Sequence, residues 1–471
     1  MKKIIAVTAG LMLAGSIVGS ASAANITFSG DARARYTLEE NYSGLMSAGG
    51  AKANSTSNDF WNSRVRLQFK IDTKGGAYAI GRFRLADGTW QGNTGAGSAP
   101  LGAATGTSVS YNNTTNYNNL FVDMGYIGVP MGPILVEGGL GYEDFTNDFL
   151  RATSTDNYTF LRFKYATDQT TLYAFYEKLR YDPLMTKATD PDADDQRDVD
   201  QYGVNWTQKF NKDWSLNATF LYRDDQQAKI VDNNNPTPGR TAPDDSGAAA
   251  DILLSGKAND IGIWVELAYK QADYQKAGYY TGSNGWNPTG TNSSKDGWSN
   301  KSTTGDDGWG GYVAAKFPLP AGVAISVMAG ATLNGYTASP DFGGGKQADY
   351  APFVMLSQPT TKDLGFLGTG VLVGSSDGNA YYVNVAPSVK PNDRLTLTVE
   401  GTYMNAEYGV GTGRANGMYK EIDSLNIWEV GGIAQYKVSD GATVSAMLGY
   451  LNIEDSSNNP VGFGMALDLK F

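Results

Sequence analysis

The sequence predicts an all-β chain: a closed, transmembrane antiparallel β-barrel of 18 strands. Three observations carry this reading. Apolar residues recur at every second position in segment after segment. Short turns and long polar connections alternate along the chain. Beyond the N-terminus of the 471-residue chain, no apolar run reaches the ~18–20 residues that a membrane-spanning helix needs. Successive side chains of a strand point to opposite faces, so each segment has one apolar and one polar face. A closed barrel satisfies every backbone group of such strands in lipid and leaves no open edge.

The period of two is explicit from the start. Ile26, Phe28, Gly30, Ala32, Ala34, Tyr36 and Leu38 alternate with Thr27, Ser29, Asp31, Arg33, Arg35 and Thr37. The same dyad places Val65, Leu67, Phe69 and Ile71 opposite Arg64, Arg66, Gln68 and Lys70, and Gly81, Phe83 and Leu85 opposite Arg82 and Arg84. Strands are predicted over 26–38, 60–71, 76–87, 119–129, 134–143, 158–167, 170–181, 200–210 and 214–223. They continue over 251–258, 261–272, 308–317, 322–334, 380–389, 394–405, 425–438, 441–453 and 461–471. A count of 16 follows if a weak pair such as 251–258 and 261–272 is not strand, and Gly365 to Gly374 can add a hairpin.

Short turns fall at 72–75, 130–132, 211–213, 259–260, 318–320, 391–393 and 439–441. Long polar segments lie at 39–59, 88–118, 182–199, 224–249, 273–306, 335–378 and 406–423. Short periplasmic turns and long extracellular loops are the layout of a transmembrane barrel. An even count returns the C-terminus to the side where the N-terminus began.

Residues 1–23 read as a cleaved signal peptide: Lys2 and Lys3, an apolar run from Ile4 to Val18, and the small-residue site Ala21-Ser22-Ala23. Residues 24–471 then form a single barrel domain. Composition excludes much chemistry. With no Cys there is no disulfide framework, zinc-thiolate site or covalent haem. With no His there is no Ser-His-Asp hydrolase. A net charge of −11 argues against nucleic acid. The sequence is read as no enzyme and as needing no cofactor.

The polar face carries the candidate site. An Arg or Lys turned to lipid costs ~2–4 kcal/mol at the membrane midplane. Arg33, Arg35, Arg64, Arg66, Arg82 and Arg84 therefore belong inside, side by side on three consecutive strands, and Arg162 and Lys164 extend the patch. Asp190, Asp192 and Asp194 have a calcium-like spacing, but Asp195 stands where the loop needs Gly, so a solvated acidic loop is favoured over a metal site. Tyr142, Tyr173, Tyr176, Trp206, Trp214, Tyr222, Tyr269 and Tyr450 fit an aromatic girdle.

Two stretches carry a family resemblance. Val461 to Phe471 has alternating apolar residues and ends in Phe. It resembles the terminal signal of Gram-negative outer-membrane barrels, read at Phe471 by their assembly machinery. Leu120 to Pro130, a short turn, Ile134 to Tyr142 and then Glu143-Asp144-Phe145 are similar to bacterial general porins. There the strand pair leads into the inward-folded third loop. The resemblance implies a general-porin-like homotrimer of the outer membrane, of delta-proteobacterial type, in contact with lipid and lipopolysaccharide. General porins usually have 16 strands, and 18 departs from that.

What the resemblance implies is a water-filled channel for passive diffusion of small hydrophilic solutes and ions. The loop near 143–157 would constrict it, with Glu143, Asp144 and Asp148 facing the arginines. Loop 88–118 is a second candidate for that constriction. The alternatives are a substrate-specific channel, or a structural barrel that acts as a sleeve for an electron-transfer partner or as an adhesin.

Overall fold

The computed structural model describes residues 25–41, 57–90, 120–141, 145–147, 149–150, 158–180, 199–225, 246–272, 307–336, 338, 342, 350, 352–356, 367, 378–407, 424–454 and 459–471. Eighteen strands close into one antiparallel sheet. They are β1 (Asn25–Glu40), β2 (Ser57–Asp72), β3 (Tyr78–Trp90), β4 (Leu120–Met131), β5 (Ile134–Gly141), β6 (Tyr158–Ala166), β7 (Thr170–Arg180), β8 (Val199–Lys209) and β9 (Trp214–Asp225). They continue with β10 (Gly247–Ala258), β11 (Ile261–Lys270), β12 (Gly308–Leu319), β13 (Val323–Leu333), β14 (Ala380–Asn392), β15 (Leu395–Ala406), β16 (Leu425–Ser439), β17 (Ala442–Ile453) and β18 (Val461–Lys470). Each strand pairs with its neighbours in sequence, and β1 pairs with β18 to shut the ring.

The predicted strands match these within a few residues, and the count is 18 rather than 16. The pair in doubt is present as β10 and β11, laddered to β9 and β12. β10 begins at Gly247 rather than 251, because Gly247 to Ala250 continue the ladder to β9 despite their small side chains. β3 begins at Tyr78 rather than 76, since Gly76 sits in the turn at φ +81°. The hairpin considered within 365–374 lies outside the described residues except for Leu367.

The short turns have local causes. Asn259 and Asp260 both adopt positive φ, as a two-residue hairpin of the primed kind demands. Asn211 Oδ1 accepts the N–H groups of Asp213 and Trp214 at 2.8 and 3.0 Å. Asn392 does the same for Arg394 and Leu395 at 2.9 Å each. These side chains reproduce a backbone turn.

The ring sorts the two faces as the alternation requires. Phe28, Val313, Leu267, Val399, Val430, Leu448 and Leu467 are exposed on the outer face. Trp309, Trp428, Tyr381, Tyr222 and Tyr450 are also exposed apolar residues of that face. Exposed apolar side chains all round a closed sheet form a belt that only lipid satisfies. Val313→Arg, mid-strand in this belt, is therefore expected to cost about 2–4 kcal/mol in lipid. Denaturant unfolding from bilayers, compared with the parent, checks it.

The seam fixes the ring closed. Gly30 N–H donates to the Phe471 carbonyl at 2.7 Å, and Phe471 N–H donates back to the Gly30 carbonyl at 3.0 Å. The Phe471 ring lies where a Cβ on Gly30 would stand, about 2.7 Å away, and the Arg66 carbonyl is closer still. Only glycine fits this approach.

Candidate functional site

The inner face divides into two unlike halves. β1, β2 and β3 bring their arginines to one wall. Strand register sets Arg33 directly beside Arg64, and Arg66 directly beside Arg84. Arg35 pairs across with Asn62, and Arg82 with Gln68. All six predicted arginines thus lie on the lumenal face. The acid placed among them is Asp31, which takes Arg66 at 2.8 Å and Arg64 at 3.4 Å. Asp468 of β18 stands in register with Arg33. The Arg64 and Arg66 side chains keep 18% and 21% of their surface in contact with solvent. They are partly exposed, whereas Arg35 and Arg82 are buried.

Arg162 and Lys164 lie on the same face three strands further on. They are separated from the arginine wall by Tyr78, Tyr126 and Glu137. Tyr78 donates its hydroxyl to the Glu137 carboxylate, and Glu137 stands in register with Arg162. The Arg162 guanidinium lies 3.6 Å over the Phe160 ring, and Lys164 Nζ is 5.3 Å from the Tyr173 ring. A planar cation on an aromatic face is held in place without losing its charge. Tyr173 is therefore lumenal, not part of the girdle. The outer residues of β7 are Leu172, Ala174 and Tyr176, and strand parity turns Tyr173 inward. Trp206, Tyr222 and Tyr450 are exposed on the outer face. Tyr142 lies outside the described residues.

The other half of the interior is occupied by two chain segments that fold inside the wall. The first joins β5 to β6. Phe145 stacks on Tyr173 at 4.2 Å, and its carbonyl accepts from Asn217 of β9 at 3.2 Å. Phe149 and Leu150 are fully buried. The Phe149 ring sits 5.1 Å from Tyr336 and 5.8 Å from Tyr312 of β12. Glu143, Asp144 and Asp148, the predicted acidic partners, lie outside the described residues. So do Asp190, Asp192 and Asp194, and residues 1–23.

The second segment belongs to the β13–β14 connection, which the sequence reading treated as a polar loop. That reading is corrected here: Tyr336, Phe342, Phe353, Val354, Met355 and Leu356 are buried against inner-face residues of β12 to β17. Tyr336 donates its hydroxyl to the Phe149 carbonyl at 3.1 Å, joining the two segments. Tyr350 stacks on Trp264 at 4.1 Å and bonds Tyr312 at 2.8 Å, and Tyr312 donates to Glu266 at 2.7 Å. The signal was present in the sequence. Pro352 to Leu356 is an apolar run inside a polar stretch, and β16 carries large apolar residues on both faces, Leu425, Ile427 and Ile433 on one and Trp428 and Val430 on the other, as strands covered on both sides do.

Phe149 is the wedge between these segments. Phe149→Ala is expected to cost about 3–5 kcal/mol of local stability. The loss should appear as faster hydrogen exchange around 145–150 and 336–342, with the strand amides of β1 to β3 unchanged.

A polar network backs the first segment. Arg223 donates to Gln201 at 3.0 Å, and Gln201 donates to Glu177 at 2.9 Å, all buried. Asp251 and Lys270 lie buried beside them. This charge-balanced set contrasts with the cationic wall across the lumen. Among the described residues no group of three or more acidic, His or Cys side chains is placed to hold a metal ion.

No family model matches this chain, and no curated protein is similar to it in sequence. Solved structures are similar in fold. The chain resembles OccAB4 of Acinetobacter baumannii at 9% identity, covering 94% of this chain and 98% of that one, with a TM-score of 0.51. OccAB1 of the same species is 12% identical, covering 95% and 96%, at 0.51. The outer membrane protein OprD from Pseudomonas aeruginosa is 9% identical, covering 94% and 93%, at 0.51. The shared feature is the fold, which matches along nearly the whole of each chain.

Proposed function

We propose that this chain is a channel of the Gram-negative outer membrane, passing small hydrophilic solutes and ions by passive diffusion. The observation that carries the reading is the arginine wall of β1 to β3. Its side chains share one lumenal face, and Arg64 and Arg66 retain contact with solvent. Guanidinium keeps its charge at any relevant pH, so the wall sets a permanent field that sorts solutes by charge. The apolar belt outside supplies the membrane seat.

The family resemblance, the strand count and the inner segments support a finer reading. The described residues of the 145–150 segment and of the β13–β14 connection narrow one side of the lumen and leave the route along the cationic wall. Eighteen strands, rather than the 16 of general porins, favour a substrate-specific channel over a general one. Residues 1–23 serve as the cleaved signal, and Phe471 as the mark read by the assembly machinery. In the membrane the barrel meets lipid and lipopolysaccharide and assembles as a homotrimer. The chain catalyses no reaction.

Liposome swelling tests the reading. Proteoliposomes are expected to swell in isosmotic glycine or small sugars at rates set by solute size, and to stay tight to dextran. Swelling no faster than that of empty liposomes would leave a closed barrel with a scaffold or adhesin role.

A further inference from the structure

The inner face of β16 reads Leu425, Ile427, Glu429, Gly431 and Ile433: one acid on an otherwise apolar surface. That acid is buried, and it shares a hydrogen bond with a second buried acid, Glu400 of β15. Its carboxylate also accepts three consecutive backbone N–H groups. Val354 and Met355 donate at 2.6 Å each to Oε1, and Leu356 donates at 3.0 Å to Oε2. A carboxylate met by three backbone donors makes a strong, directional contact. It also satisfies donors that would be costly to leave unmet in a buried place.

Beside it the wall is cut away to receive the same residues. Gly431 and Gly449 stand opposite each other in the β16–β17 register. A Cβ on Gly431 would meet Val354, and one on Gly449 would lie 2.5 Å from Met355 Cγ. From β14, Asn384 donates to the Pro352 carbonyl at 3.1 Å. The same amide donates to Thr402 Oγ1 at 2.8 Å and to Glu400 at 3.3 Å, so its orientation is fixed from β15.

We propose that Glu429 is a positioning residue that latches the Pro352–Leu356 strap into the Gly431–Gly449 seat, and so sets the bore and size limit of the channel. The proposal rests on the channel reading above. The latch holds backbone atoms of the strap while the Val354 and Met355 side chains fill the glycine seat, and loss of one acceptor or one N–H donor releases it. The strap then leaves the wall and the interior on that side widens.

The test uses the full barrel in planar bilayers and liposomes. Glu429→Gln replaces one acceptor oxygen by a donor that confronts backbone donors. Val354→Pro removes one donor from the strap and leaves every strand untouched, so it reports even if the first variant fails to fold. Both are expected to raise single-channel conductance roughly two-fold. Both should also speed swelling in a disaccharide more than in glycine. Met355→Cys with Gly449→Cys, added to Glu429→Gln in this cysteine-free chain, should return conductance to the parent value when oxidised and raise it again on reduction. A merely structural role gives no such rescue. Parent-like conductance and size limit in both folded variants would overturn the latch alone. An unmodified barrel that does not conduct would overturn the channel reading and the latch with it.

Discussion

Replacing Arg33 and Arg84 with Gln is expected to move the reversal potential in a salt gradient toward cation selectivity. The choice of positions follows from register. Arg33 stands beside Arg64 and Arg84 beside Arg66, while Asp31 binds Arg64 and Arg66. Removing the first two reduces cationic charge without breaking either ion pair to Asp31. A unit charge ~5 Å from a passing ion is worth about 1 kcal/mol in a watery lumen and about 3 kcal/mol at an effective dielectric of 20. At the lower value each arginine changes the partition of a cation roughly five-fold and that of an anion as much in the opposite sense, so the unscreened cation-to-anion ratio changes about 25-fold. Screening sets a second signature. With a Debye length of about 10 Å at 0.1 M and about 3 Å at 1 M, the shift should be large in dilute salt and small in concentrated salt. A shift independent of salt would point to a change of bore rather than of charge.

Gly30→Val is expected to prevent closure of the barrel. The added carbons would occupy the space of the Phe471 ring and of the Arg66 carbonyl, one from each neighbouring strand. The ring can swing away, but the carbonyl belongs to the β1–β2 ladder and cannot move without breaking it. The seam bonds between Gly30 and Phe471 are lost with it. An open seam leaves backbone groups unpaired in lipid, at several kcal/mol each. The measurement is the compact, heat-modifiable band on a gel without boiling. It should vanish for Gly30→Val and persist for Ala34→Val, two turns of the pleat along the same face.

The strands were legible in the sequence because lipid imposes their pattern. Every outward position of a spanning strand must be apolar, so Ile261, Ile263, Val265, Leu267 and Tyr269 announce β11 directly. Charge supplied the inner face of β1 to β3, since no arginine there has a tolerable place outside. Boundaries slipped where small residues prolong a ladder, as at Gly247 to Ala250. What stayed hidden was the filling of the lumen. The Val354 and Met355 contacts with Glu429 join residues 75 and 74 positions apart, and no local period encodes such a distance. The glycine pair Gly431 and Gly449 looks ordinary until register places the two side by side. Tyr173 was misplaced for a simpler reason: an aromatic near a strand end was read as girdle without following the parity of its strand.

Single-channel recording of the purified, unmodified barrel under a salt gradient tests the central claim most directly. A cationic wall along an open lumen predicts discrete conductance steps and a reversal potential displaced toward anions, more so in dilute salt. A silent bilayer, with protein shown to be folded and inserted, would contradict it.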